Sequence, residues 1–266
     1  MPGLGNWIEA GGGVTENRAM AKLDAIISYA NHYLKVEEGE DAPGAHNGLQ
    51  VENCGRVTRI LASVDSGLAV IKKASAAGSG SLLIVHHGLF WGGVQPVTGT
   101  FGRKLELMRA ADMALYSVHL PLDAHATVGN NVLLGKALGL RRLEPLLGFG
   151  RSGSFTGSRD ELVRRVMKTT GRVPQVCAAG PERPRRVGVI TGGAGDLLEK
   201  VAAAGIDTFV TGEGLQWTWL RAEELGVNMI YGGHYATETF GVRALAAHLA
   251  KKFRVPWQFV DHPVPL

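Results

Sequence analysis

The chain repeats one pattern of strands and helices at a spacing of 127 residues. A shift by 127 positions, from 78 to 205, places Gly78 on Gly205 and His86 on Glu213. In both halves a short β-rich run leads through a helical pattern and a glycine to a second β-rich run, which ends in polar residues. Alternating strands and helices pack as sheets covered by helices. The repeat therefore predicts an α/β fold built on an internal duplication.

Six short runs of apolar and β-branched residues are the candidate strands. They cover residues 60–64, 82–85, 114–118, 187–190, 208–210 and 228–231. Apolar side chains recur at helical spacing over residues 21–34, which predicts an amphipathic helix there. Residues 237–253 also have a helical pattern, whereas the polar stretch 37–48, with its Gly and Pro, predicts a loop.

Composition narrows the class of protein. A hydrophobic content of 45% over 266 residues is ample for a packed interior. The net charge of +4 comes from scattered basic residues, which favours a solvated surface over a nucleic-acid-binding one. Cys54 and Cys177 form no Cys-x-x-Cys pair, so neither a disulfide framework nor a thiolate zinc site is indicated. We therefore expect a protein of the reducing cytoplasm.

Two further features concern the membrane and the N-terminus. No apolar run approaches the roughly 20 residues that span a bilayer, so no membrane association is expected. Residues 1–19 are rich in glycine and lack the basic-then-apolar order of a signal peptide. We expect them to be a disordered leader ahead of a natural start at Met20.

Two segments place a histidine four residues before an acid, and a pair of adjacent histidines follows another candidate strand. Together they supply five candidate metal ligands: His86, His87, Asp123, His234 and Glu238. All five follow candidate strands, at the sheet edge where α/β proteins usually place their sites. Imidazole and carboxylate groups suit zinc, iron, manganese, nickel or cobalt. The sequence thus predicts a transition-metal centre.

The number of candidate metal ligands favours a catalytic site over a structural one. Five ligands do not saturate two ions unless Asp123 or Glu238 bridges, and even then each ion keeps positions open for water, as catalytic sites do. Two ions about 3.5 to 4 Å apart can share a hydroxide nucleophile, as in many metallohydrolases. In a continuing strand His86 and His87 would point to opposite faces, so both reach one cluster only if the strand ends there, which Gly88 favours.

Several residues have alternative interpretations. Any single histidine is more often a core or surface residue than a ligand. His119 could ligate an ion, orient a ligand by a hydrogen bond or act as a general base. The glycine turn 192–195 could bind phosphate but is more typical of a tight turn. Aromatic residues near strand ends could stack a planar substrate, although core or subunit contacts are commoner for them: Phe90, Trp91, Trp217 and Trp219.

Five short motifs resemble one known family. They are Asn-Gly-Leu-Gln at 47–50, Val-His-His-Gly at 85–88, Ser-x-His-x-x-x-Asp at 117–123, Thr-Gly-Glu at 211–213 and Gly-His-Tyr-Ala-Thr-Glu at 233–238. The chain is similar, from about residue 23 to 260, to the Nif-three-like family of dinuclear metal-centre hexameric proteins. Many members of that family are labelled homologues of type 2 GTP cyclohydrolase.

The resemblance implies a structure. The family's paired-metal ligands match the five candidates above, with two divalent ions in each subunit and the carboxylates as bridges. It further implies two similar, interleaved α/β domains with mixed sheets covered by helices, and a ring-shaped homohexamer. We place the first domain at residues 20–125 with 235–266 and the second at 126–234. The domain that longer members carry between the halves is expected to be missing.

The resemblance also implies an activity. Type 2 GTP cyclohydrolase chemistry would use metal-activated water to attack C8 of a purine nucleotide, with His119 or Glu213 as candidate proton carriers. We therefore expect a metal-dependent hydrolase with a nucleotide substrate. The alternative is a non-catalytic metal-binding or metal-handling hexamer, or an adaptor for a protein partner, in which the ions are structural or stored.

Overall fold

Two mixed sheets form the framework of the protein in the computed structural model, which describes residues 20–38 and 41–265. The leader predicted for residues 1–19 lies outside the described residues. The strands are β1 (Ala21–Lys22), β2 (Gly48–Val51), β3 (Arg56–Val57), β4 (Arg59–Asp65), β5 (Ser81–His87), β6 (Ala114–Ser117), β7 (Arg141–Leu146), β8 (Gly150–Ser154), β9 (Gln175–Ala178), β10 (Arg186–Val189), β11 (Thr208–Thr211), β12 (Asn228–Tyr231) and β13 (Trp257–Phe259). The helices are α1 (Leu23–Leu34), α2 (Leu68–Ser75), α3 (Gly99–Ala110), α4 (Leu120–Ala124), α5 (Asn130–Ala137), α6 (Arg159–Thr170), α7 (Leu198–Ala203), α8 (Gln216–Leu225) and α9 (His234–Phe253).

The five-stranded sheet has the order β13-β4-β5-β6-β2. Strands β4, β5 and β6 are parallel, so Leu82 of β5 lies between Ile60 and Ala114. The edge strand β13 is parallel to β4, and β2 is antiparallel to β6. Parallel strands leave their carboxyl ends at one edge of the sheet, and β5 ends there in His86 and His87.

The six-stranded sheet has the order β7-β8-β10-β11-β12-β9. Its strands β10, β11 and β12 are parallel, whereas β8 and β9 flank them in the antiparallel direction and β7 forms a hairpin with β8. Each sheet therefore contains three successive parallel strands, followed by an antiparallel strand beside the third. Ser81 of β5 and Thr208 of β11 begin equivalent strands, as the repeat predicted.

Both sheets are covered by helices on both faces. In the five-stranded sheet Ile60 and Ile84 pack under α1 and α9, while the alternating Leu61 and Leu83 pack under α2 and α3. In the six-stranded sheet the equivalent layers are α5 with α6 and α7 with α8. Each large apolar side chain buried in this way contributes about 1.5–3 kcal/mol. The predicted mixed α/β class is confirmed, and the domain boundaries given above stay predictions.

Helix α9 joins the C-terminal part of the chain to the first sheet. Val242, Leu245 and Leu249 are fully buried against Ile60 and Ile84. The helix begins at His234, earlier than the predicted residue 237. This start places His234 in the first turn, with Glu238 one turn later on the same face.

Seven of the described strands were not predicted from the sequence: β1, β2, β3, β7, β8, β9 and β13. Most are edge or antiparallel strands with partly exposed side chains, so they lack a continuous apolar run. Among the residues that the structure describes, no helix combines the length and the apolar character needed to cross a membrane.

Candidate metal centre

The adjacent histidines end strand β5. The strand extends to His87, beyond the predicted residue 85, and stops there. Both rings consequently reach one cluster, with their centroids 4.9 Å apart. His86 is fully buried, and its Nδ1 lies 2.9 Å from the carbonyl oxygen of Val118. Nδ1 of His87 lies 2.8 Å from Oδ1 of Asp65, its register partner at the end of β4.

Helix α4 brings a buried carboxylate to the same place. Oδ2 of Asp123 lies 3.5 Å from Nε2 of His86, and its Oδ1 accepts a hydrogen bond from the side-chain amide of Asn130. His119, immediately before α4, has its ring centroid 4.8 Å from that of His86. Its Nδ1 lies 2.6 Å from Oδ1 of Asp41.

Helix α9 supplies the remaining two candidates. Nε2 of His234 lies 3.2 Å from Oε2 of Glu238, and Nδ1 of His234 lies 2.8 Å from Oε1 of Glu213. Glu238 is buried and faces the first sheet. Its Oε1 is 3.6 Å from Nε2 of His86, and its Oε2 is 3.5 Å from Nε2 of His87. Histidines and acids from distant parts of the chain therefore meet in one cluster.

Four histidines of the cluster share one orientation. In each ring Nδ1 faces an oxygen, which is a carbonyl for His86 and a carboxylate for His87, His119 and His234. In the neutral form of each ring the proton then lies on Nδ1, which leaves the lone pair of Nε2 to bind an ion. Metal-binding histidines in proteins are commonly oriented by such hydrogen bonds, which fix the tautomer and raise the basicity of the ligand.

The residues fit a transition-metal ion. Nε2 of His86 and Oε2 of Glu238 are buried and make no hydrogen bond within the described part of the chain. Unpartnered buried polar atoms are costly, and an ion would satisfy both. Two ligand atoms that are each about 2.1 Å from one ion lie about 3 to 3.5 Å apart, similar to the separations measured here. The ligand atoms form two overlapping groups, each within 4.8 Å: His86, His87 and His119, and His87, His234 and Glu238.

Charge is balanced within the cluster. Burial alone would lower the pKa of His86, but Asp123 and Glu238 raise it to about 10. Burial likewise opposes the charged form of His234, while Glu238 and Glu213 raise its pKa to about 9. Burial would raise the pKa of Glu238, but His86, His234 and His87 lower it to about 2. Without an ion, protons on the imidazoles therefore compensate the buried carboxylates.

Two carboxylates that orient the histidines were not predicted as site residues. Asp41 lies in the predicted loop, where it accepts hydrogen bonds from the side chain of Asn47 and the backbone of Leu120. Burial raises the pKa of Asp41, but hydrogen bonds from His119 and Asn47 lower it below its usual value. Asp65 directly follows the predicted strand 60–64. A polar residue at a strand end was the available signal for Asp65, and no local pattern marked Asp41.

Aromatic residues and a glycine turn also lie beside the candidate metal centre. The half-exposed ring of Trp91 lies 4.5 Å from that of His119 and 4.9 Å from that of His87. Phe90 packs beside Phe101 against the core of the five-stranded sheet, whereas Trp217 is exposed. The glycine turn 192–195 approaches the centre so closely that a Cβ on Gly192 would overlap Oε1 of Glu238.

Fold and site together define a class: an α/β protein with a histidine- and carboxylate-lined centre between the ends of two sheets. The chain belongs to the DUF34/NIF3 (NGG1p interacting factor 3) family, which it matches over residues 21–265. The family resemblance drawn from the sequence motifs is thereby confirmed.

Individual relatives share nearly the whole chain. A protein named GTP cyclohydrolase 1 type 2 homolog from Deinococcus radiodurans is 39% identical over 253 residues, covering 91% of this chain and 94% of its own. A protein of the same name from Pyrococcus horikoshii is 38% identical and covers 91% of this chain and 99% of its own.

Solved structures share the fold. TTHA1606 from Thermus thermophilus superposes with a TM-score of 0.87 at 40% identity, covering 92% of this chain and 100% of its own. Reduced HcgD from Methanocaldococcus jannaschii gives a TM-score of 0.82 at 27% identity, covering 91% of this chain and 99% of its own.

Proposed function

We propose that the protein is a hydrolase that uses two metal ions and acts on a purine nucleotide. One observation carries the proposal: the buried carboxylate of Glu238 directs Oε1 toward His86 and Oε2 toward His87 and His234. A carboxylate whose two oxygens face different imidazoles is suited to bridge two ions. We assign Glu238 that role.

We assign the donors to two neighbouring positions. His86 and Asp123 would hold one ion, His87 and His234 would hold the other, and Glu238 lies between them. A pair of ions about 3.5 to 4 Å apart would lower the pKa of a shared water molecule and polarise the bond to be broken. The protein must hold the donors rigidly, and the hydrogen bonds at Nδ1 of the histidines fix the orientation of their rings.

His119 is the residue to which we assign proton transfer. Asp41 holds its Nδ1, and Nε2 faces the cluster. A carboxylate in this position fixes the imidazole and stabilises its charged form when Nε2 accepts a proton. Glu213 was the other candidate proton carrier, but Oε1 of Glu213 is used to orient His234. We therefore assign Glu213 a positioning role.

The choice of substrate is supported by the relatives, whose printed name is GTP cyclohydrolase 1 type 2 homolog. Opening of a purine ring and cleavage of a phosphoester would both use an activated water. We propose a purine nucleotide as the substrate and leave the bond to be identified by experiment. Assembly into a homohexamer in the cytoplasm is part of the same proposal.

The test combines metal analysis with a substrate panel. Natively purified protein is expected to contain about two ions per chain and to turn over a purine nucleotide. Glu238→Gln removes the bridging charge, and we expect it to lower turnover by at least about 100-fold and to lose one ion or both. The matched control is Glu199→Gln, which changes an exposed acid paired with Arg221. If loaded protein turns over no member of the panel, metal handling is the better account.

A further inference from the structure

A cavity of about 470 Å³ lies beside the candidate metal centre. We propose that it binds a planar nitrogen-containing ring of the substrate, such as a nucleobase. The inference rests on the proposed function, since it concerns the substrate of the same site. The cavity is bounded by residues 212–214, after β11, and by Gly232 and Gly233, after β12. Glu213 belongs to its lining and also holds Nδ1 of His234, so the cavity and the centre share a wall.

Two aromatic side chains, Trp219 and Tyr231, line the cavity. The rings of Trp219 and Tyr231 are stacked, with centroids 6.5 Å apart and planes inclined by 15°. The hydroxyl of Tyr231 lies 2.7 Å from Oγ1 of Thr218, which fixes the tyrosine ring in place. Aromatic side chains of this kind bind flat rings by stacking, with little dependence on the identity of the ring.

The remaining lining offers hydrogen bonds. Gln175 and Gln216 are exposed residues at the rim, and each side-chain amide provides donors and an acceptor. The carboxylate of Glu213, 41% exposed, adds further acceptor capacity. Ring nitrogens and exocyclic amino groups are the complementary partners. The chemistry of the lining therefore matches a nitrogen heterocycle better than a purely apolar ring.

Charge distinguishes the two parts of a nucleotide on the side of the cavity next to the centre. The carboxylate of Glu213 lies in the wall shared with the centre, where it repels a phosphate but not a neutral ring. The guanidinium of Arg172, which also lines the cavity, donates hydrogen bonds to the carbonyl oxygens of Val264 and Pro265 and keeps its positive charge. We therefore place the ring beside Glu213, and a nucleoside should bind here without any phosphate.

The experiment measures equilibrium binding of guanosine, adenosine and ribose 5-phosphate to metal-loaded and to chelator-treated protein. Trp219→Leu removes one of the two aromatic side chains, and Gln216→Trp fills the cavity from an exposed helix position. The control is Leu220→Trp, an exposed site on the same helix that does not line the cavity. We expect both cavity variants to weaken nucleoside binding at least about tenfold, and the control to change it less than about twofold. Ribose 5-phosphate should bind at least about tenfold more weakly than guanosine.

Two results overturn the assignment: ribose 5-phosphate binding as tightly as guanosine, or nucleoside binding that is absent or equal in wild type and Gln216→Trp. Trp219 also packs against the buried core, so Gln216→Trp alone decides the outcome if Trp219→Leu does not fold.

Binding and turnover together distinguish failure of the proposed hydrolase from failure of the proposed ring-binding cavity. Nucleoside binding without turnover contradicts the hydrolase and keeps the cavity, whereas turnover with an unchanged KM in Gln216→Trp contradicts the cavity and keeps the hydrolase.

Discussion

Oδ1 of Asp65 lies 2.8 Å from Nδ1 of His87, where neighbouring strands of the first sheet end in register. The contact keeps the proton on Nδ1 and presents Nε2 to the centre. We predict that Asp65→Asn lowers the affinity for zinc by about 10- to 100-fold, because an amide neither favours that tautomer as strongly nor raises the basicity of the ring. Competition with a chromophoric chelator measures the affinity.

The control for this variant is Asp112→Asn. Asp112 also accepts a hydrogen bond through a carboxylate oxygen, but its partner is the backbone of Cys54, outside the centre. Unchanged zinc affinity in Asp65→Asn would show that the hydrogen bond to His87 does not tune the ligand.

His119→Ala should separate chemistry from ion binding. If His119 transfers a proton, the variant keeps its ions through the other donors and loses about 100- to 10,000-fold in kcat. The measurements are metal content by elemental analysis and turnover at saturating metal. Loss of an ion from the purified variant would instead identify His119 as a ligand.

Gly192→Ala tests the closeness of the glycine turn to the centre. The added methyl would overlap Oε1 of Glu238, so either the carboxylate or the turn must move. We expect weaker metal binding, by at least about tenfold, without the loss of any ligand. The control is Gly171→Ala, since Gly171 has φ +71° against +70° for Gly192 but open space around its Cβ position. Backbone strain from alanine in the left-handed region costs roughly 1–2 kcal/mol and is common to both variants, so equal zinc affinity in the two variants would contradict the steric explanation.

Metal binding should release protons. Acidic neighbours raise the pKa of His86 to about 10 and that of His234 to about 9, both above the ordinary value of 6.5. At pH 7.5 the ion-free protein therefore carries protons on both rings, and an ion must displace them. Affinity should rise with pH until the pH exceeds these pKa values. Calorimetry in buffers with different ionisation enthalpies counts the protons, and no release at pH 7.5 would contradict the prediction.

The stability of the ion-free protein follows from the same pKa values. A histidine whose pKa is higher in the folded than in the unfolded chain stabilises the fold fully below the unfolded pKa, and the contribution is lost as pH rises through the folded value. We expect the free energy of unfolding of chelator-treated protein to fall between about pH 7 and 10. Metal-loaded protein should show a smaller change. Urea denaturation at several pH values compares the two forms.

The central strands could be predicted from sequence because they are buried on both faces. The run at 82–85 is entirely apolar, and two of the three residues at 208–210 are apolar, as is typical of strands between two helical layers. Strand β7 could not be recognised in this way, since it is mostly exposed and contains Pro145. Its place depends on pairing with β8, which no local pattern encodes.

The candidate ligands were recognisable from residue type and position, since imidazoles and carboxylates at strand ends are uncommon unless they have a function. The residues that orient these ligands by hydrogen bonds were not recognisable from the sequence. Asp41 contacts His119 across 78 positions of sequence, and only the folded loop brings the two together. The cavity beside Glu213 could not be predicted from the sequence either, because the residues that line it come from separate segments that only the folded sheet brings together.

Placement of the centre between the first half of the chain and α9 has a consequence for biosynthesis. A nascent chain that has emerged only as far as β12 has made His86, His87 and Asp123 but not the buried acid at 238. The complete set of donors exists only when α9 has been synthesised and has docked on the first sheet. Uptake of an ion by these donors would thus be a late event in maturation, because it would require that both ends of the polypeptide have folded together.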